Sequence, residues 1–138
     1  MRPALFVILT VAAAATASAK DASLYPTRDC SKLTAQMDLN QCAQANADAA
    51  DKVLNAAYQQ VMLWLPTQRA KNNLKSSERV WIKKRDAECN DEVGDQADGG
   101  SIWPMEMANC QEKQTASRIR VLNKMRQCTA GASVCNPH

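Results

Sequence analysis

The chain has 138 residues, 46% hydrophobic and 22% charged, with 17 lysines and arginines against 14 acids for a net charge of +3. So small an excess argues against a nucleic-acid partner, which is held chiefly by neutralising phosphates. The one histidine, His138, is the last residue, which excludes Ser-His-Asp or Cys-His catalysis in the body of the chain.

Residues 1–19 read as a secretory signal peptide. Arg2 provides the positive n-region, an apolar run follows from Ala4 to about Ala15, and Ala17-Ser18-Ala19 supplies the small-x-small cleavage pattern. The run is too short and alanine-rich for a membrane anchor, which needs roughly 20 strongly apolar residues. The first cysteine is Cys30, so no lipid-acceptor cysteine stands at the cleavage point. A single domain over 20–138, periplasmic or secreted and without a membrane anchor, is the expectation. All six cysteines fall in this part, and an even count behind a signal peptide implies disulfides. A zinc site is disfavoured because no CxxC pair exists.

The fold class expected is all-α, an antiparallel helical hairpin plus a third helix, stapled by disulfides. The first helix spans about 34–65, where Leu39, Cys42, Ala43, Ala49, Ala50, Val53, Leu54, Ala57, Tyr58, Val61 and Leu65 recur at spacings of three and four. Pro66 ends it, and Thr67 suits the N-cap of a second helix that runs to about Cys89. That helix carries Leu74, Trp81 and Cys89 near one face and lysines on the other. Residues 91–101, acidic and glycine-rich, read as a loop. Pro104 suits the first turn of a third helix ending near Arg126, with Met107, Cys110, Ile119, Leu122 and Met125 inward.

In a hairpin about Pro66, Cys42 and Cys89 lie at the same height, because each residue rises about 1.5 Å. This favours Cys42–Cys89, then Cys30–Cys110, and leaves Cys128–Cys135 to close the tail. Local pairing of Cys30 with Cys42 and of Cys89 with Cys110 is the competing scheme. It is awkward if the helix begins soon after Cys30, since bridged Cα atoms lie within about 7 Å.

Catalytic signatures are absent. No phosphate-cradling GxxxxGK[ST] loop occurs. Asp86, Glu88, Asp91 and Glu92 cluster, but carboxylates at a helix end and in a solvated loop are ordinary surface. The reading is a non-enzyme with no cofactor and no metal.

The run Cys30-x-x-Leu-Thr-Ala-Gln-x-Asp-Leu-Asn-x-Cys42-Ala, followed by Ala50-Asp51-Lys52-x-Leu54-Asn55-x-x-Tyr58, resembles the LprI-like family of small bacterial exported proteins. Arg79-x-Trp81-Ile82-x-x-Arg85-Asp86-Ala87-Glu88-Cys89, Gly99-Gly100-Ser101-Ile102-x-Pro104, Cys110 and Arg118 continue the likeness over almost the whole mature chain. It is closest to stand-alone periplasmic members that carry a further Cys128/Cys135 pair. The resemblance implies a similar helical fold and, from the family's name, inhibition of lysozyme. The partner so implied is a lysozyme or related cell-wall hydrolase. The alternative is an adaptor or immunity protein that binds another envelope component.

Trp81 and Tyr58 lie on the helical stripes and read as core. Arg85 falls opposite residues 46–48, which suits an inward ion pair with Asp48 or Asp51. Binding residues concentrate on loops held by a rigid scaffold. On that ground Asp95, Asp98, Gly99, Gly100, Ser101, Ile102 and Trp103 form the candidate binding loop. Asp95 and Asp98 would meet a basic rim of the enzyme, while Ser101 with Ile102 or Trp103 would fill its sugar subsites. The competing reading has Gly99 and Gly100 supplying only positive-φ geometry and Trp103 folding back onto the third helix.

Overall fold

The computed structural model describes residues 24–129. Three long helices account for most of them: α1 (Gln36–Trp64), α2 (Gln68–Val93) and α4 (Trp103–Thr129), with one short turn, α3 (Gln96–Gly99), and a 3-10 turn (Gly100–Ile102) before α4. The boundaries follow local chemistry. Leu65, before Pro66, is extended and ends α1. The Thr67 hydroxyl then accepts from the Ala70 amide at 3.1 Å and caps α2. The signal-peptide reading lies outside the described residues. Among those described, no helix is long and apolar enough to cross a membrane.

Packing is led by α1 and α4, which lie side by side and run parallel. The α1 stripe Ala43, Ala47, Ala50, Leu54, Ala57 and Val61 is buried at alternating spacings of four and three. It meets Ala108, Thr115, Ile119 and Leu122 of α4, the last two with no exposed surface. Alanine presents only a methyl group, so the two backbones approach closely along this seam. Helix α2 runs antiparallel to α4: Leu74 joins the cluster of Ile119 and Leu122, Glu78 reaches Arg118, and Cys89 reaches Cys110. It returns the chain to the starting end so that α4 can run alongside α1. Between α1 and α2 themselves there is little direct backbone contact.

That wedge position of α4 decides the disulfides. The bridges are Cys30–Cys42, with Cα atoms 6.0 Å apart, and Cys89–Cys110, at 5.7 Å. The expected Cys42–Cys89 and Cys30–Cys110 pairs are therefore corrected. The register is also displaced, since Arg85 of α2 reaches Asp51 of α1, about one turn from the residues 46–48 that equal heights about Pro66 set opposite it. Height along the axis is not proximity across it, and α4 lies between the two helices. Cys30–Cys42 becomes feasible because α1 starts only at Gln36, leaving a turn in which the Leu33 amide donates to the Cys30 carbonyl. Cys128 is also disulfide-bonded, while its expected partner Cys135 lies outside the described residues. On the chain-entropy model, the loop closed by Cys89–Cys110 is stabilised by about 3 kcal/mol.

The segment before Cys30 runs back along α1 as a strap. Asn46, 8% exposed, holds it at two points: its side-chain oxygen accepts from the Arg28 amide at 2.7 Å and its amide nitrogen donates to the Arg28 carbonyl at 3.1 Å. Tyr25 packs into the main core beside Ala50 and Leu54. Its hydroxyl donates to Glu112 Oε1 of α4 at 2.9 Å. Met125, expected inward, is 38% exposed, because the buried stripe of α1 stops at Val61 and the seam runs out beside it.

Burial and the neighbouring Glu112 carboxylate raise the Tyr25 phenol from its ordinary value near 10 to about 12, against a smaller opposing pull from Arg120. A raised folded-state value means that this stabilisation is complete below pH 10 and is lost as pH climbs from 10 towards 12. In an absorbance titration of phenolate, Tyr25 is expected to ionise at about pH 12 rather than near the ordinary value of 10. Tyr25→Phe should remove that late step; its persistence in the variant would refute the assignment.

Candidate functional site

Two constellations stand out. The first is a polar network at mid-length where the three long helices meet. Two guanidiniums lie over the Trp81 ring, Arg85 at 5.3 Å and Arg118 at 5.7 Å from its centroid. Arg118 donates through Nε (3.0 Å) and Nη2 (2.6 Å) to Glu78 Oε1, and through Nη2 to Ser77 Oγ at 3.0 Å. Arg85 meets Asp86 at 2.9 Å and Asp51 at 3.3 Å, and Thr115 Oγ lies 3.4 Å from both Arg85 Nη1 and Asp51 Oδ1. Arg85, Asp51 and Thr115 thereby join α2, α1 and α4. This ion pair with Asp51 is one of the two contemplated for Arg85. Trp81 is half-buried against the core, as is Tyr58.

Glu78 was legible in principle as a charged residue on the stripe of Leu74, Trp81, Arg85 and Cys89. Its partner was not, because the pairing depends on how α2 and α4 are set against one another. The two guanidiniums and Glu78 are largely withdrawn from water and, bonded to their partners, hold helices in register; they offer little to an incoming molecule.

The second constellation is the connection from α2 to α4, beside the two bridges. It is not an open loop. Residues 91–93 extend α2, and α3 and the 3-10 turn fill the interval to α4. Helices win here because Gly94, with φ of 81°, closes α2 by donating its amide to the Asn90 carbonyl, and Gly100, with φ of 59°, turns the chain again. Trp103 folds back. Its ring packs against Cys89, Met107 and Cys110, and its indole N–H donates to the Gly94 carbonyl at 2.8 Å. Gly99 has an ordinary negative φ and is required for space: a Cβ there would lie 2.5 Å from Trp103 Cδ1. Asn40 of α1 donates to the Ser101 carbonyl at 2.9 Å and ties the turn to the first helix.

Of the sequence-derived binding residues, Asp95, Asp98, Gly100, Ser101 and Ile102 are brought together on the exposed rim of this turn, with Ile102 41% exposed. Gly99 and Trp103 lie beneath it as support. Asn40, and the role of Gly94 as helix stop, were missed; only the fold brings α1 up to the turn. Among the described residues no group of three or more His, Cys, Asp or Glu side chains converges on a metal-sized site.

Fold and site together define a disulfide-clamped, three-helix protein with an acidic turn held by a bridge and two side-chain hydrogen bonds at one end. The chain belongs to the lysozyme inhibitor LprI family, whose model matches residues 28–122, from the strap to the last buried leucine of α4. It is 33% identical over 135 residues to an uncharacterised protein of Rhizobium meliloti (strain 1021), an alignment covering 89% of this chain and 92% of that protein. No solved structure matches it.

Three outcomes follow from these contacts. Arg118 and Glu78 side chains are 13% and 12% exposed, so Arg118→Ala should cost about 3–5 kcal/mol in urea unfolding by leaving a buried charge unpaired. Arg85→Ala should cost less, because its carboxylate partners are about half exposed. Trp103→Ala should lower stability by about 2 kcal/mol, through lost packing and one lost hydrogen bond. An unchanged melting temperature in that variant would contradict the folded-back position.

Proposed function

We propose that this protein is an exported inhibitor of lysozyme-type muramidases that acts by occluding the enzyme's substrate cleft with its acidic turn. Export rests on the signal-like residues 1–19. Membership of a family named for lysozyme inhibition is the observation that carries the reading. The turn suits the task physically. Asp95 and Asp98 stand exposed for a basic rim, and Ser101 and Ile102 project beside them. The turn is pre-ordered by the Cys89–Cys110 bridge, the Trp103 prop and the Asn40 tie, so little conformational entropy is lost on binding.

The purified, oxidised protein is expected to inhibit at least one lysozyme type in a cell-wall lysis assay. Asp95→Asn/Asp98→Asn/Ile102→Ser should weaken inhibition by about tenfold or more, equivalent to about 1.4 kcal/mol, with helicity unchanged. Absence of inhibition at micromolar excess against several lysozyme types would replace this reading with an adaptor that binds another envelope component. Full inhibition by the triple variant would move the contact elsewhere on the molecule.

A further inference from the structure

The Asp51–Arg85–Thr115 junction divides the molecule into two halves of opposite charge. Towards the α1–α2 connection lie residues 52–84 and 116–129, in which Glu78 is the single acid against eleven lysines and arginines. Towards the disulfides lie residues 24–51 and 85–115, with twelve acids and four bases. The near-neutral chain is therefore a strong dipole, about +10 at one pole and −8 at the other when these residues are counted.

Three further features mark the basic pole. Lys71, Lys75, Arg79 and Lys83 follow one another at i,i+4 along α2, a spacing at which like charges destabilise a helix. None of these four makes an ion pair among the described residues. At the extreme tip, Leu63 and Trp64 are 74% and 57% exposed, although Trp64 continues the buried seam of Ala57 and Val61.

We propose that this pole is a docking surface for a bilayer rich in anionic lipid. Trp64 and Leu63 enter the headgroup region, and the exposed bases nearest the tip, Arg69 and Lys75 of α2 and Lys124 of α4, face the lipid phosphates. Charge complementarity alone would equally suit a soluble polyanion. The two apolar side chains at the leading tip decide for a bilayer, which backs its anionic surface with an apolar interior where tryptophan is favoured. The −8 pole is repelled by the same surface, so the dipole sets one orientation, with the acidic turn pointing away from the membrane. The contact is peripheral, since no helix among the described residues can span a bilayer. It uses the pole opposite the proposed inhibitory turn and does not rest on that function.

The test is co-sedimentation of the oxidised protein with phosphatidylcholine vesicles, alone or with about one-third phosphatidylglycerol. Binding to the anionic vesicles should be at least about tenfold stronger, since each basic residue near such a surface contributes measurably. It should fall as salt shortens the screening length from about 10 Å at 0.1 M to about 3 Å at 1 M. Tryptophan emission should shift to the blue on binding. Leu63→Ser/Trp64→Ser should abolish the shift and weaken binding, and Arg69→Glu/Lys75→Glu/Lys124→Glu should lose about tenfold or more. All five positions are exposed, so helicity and lysozyme inhibition should be unchanged in both variants. Equal binding to both vesicle types overturns the proposal, as does full binding by either variant. So does binding without an emission shift that inorganic polyphosphate competes away, which would mark the pole as a general polyanion site.

Discussion

Close approach of two parallel helices across a row of alanine side chains is the constraint on which the rest of this structure depends. Parallel neighbours cannot be joined by a tight turn, so α2 must carry the chain back before α4 can begin. Because α4 takes the place next to α1, α2 is left to pack mainly on α4. A seam this thin leaves few large side chains in the core, chiefly Leu54, Val61, Leu74, Ile119 and Leu122. The molecule supplements it with cross-links: two bridges at one end, the Trp81-centred ion network at mid-length, and the strap held by Asn46 and Tyr25.

These supplements differ in kind. The bridges act largely by restricting the unfolded chain and tie the connection between α2 and α4 at its base. The mid-length network contributes orientation more than net energy, because bringing two arginines and Glu78 out of water costs much of what their attraction returns. Its value lies in being satisfiable by one arrangement of three helices. Among the described residues, no buried side-chain nitrogen or oxygen is left without a partner.

The two ends of the rod are thereby separated in chemistry as well as in space. One presents a pre-ordered acidic turn between disulfides, the other a basic tip with exposed apolar side chains. A small protein with so little net charge would show neither property in its averages. The proposed protein contact and the proposed bilayer contact therefore fall on separate surfaces, with the mid-length network between them.

Periodicity along the chain was enough to reveal three long helices, the stop at Pro66, the cap at Thr67, the turn at Pro104 and the burial of Cys42, Cys110, Ile119 and Leu122, because each depends on neighbours within a turn or two. The motif residues around Cys30, Asp51, Trp81 and Arg85 were also enough to suggest the family to which the chain belongs. Which cysteines join, where Trp103 points, why Gly99 must be glycine and what Tyr25 and Glu78 hold depend on the lateral order of the helices. Helical period encodes a position's face and height but not which helix will stand against it. That choice belongs to the packing of small side chains, and here it placed α4 between Cys42 and Cys89.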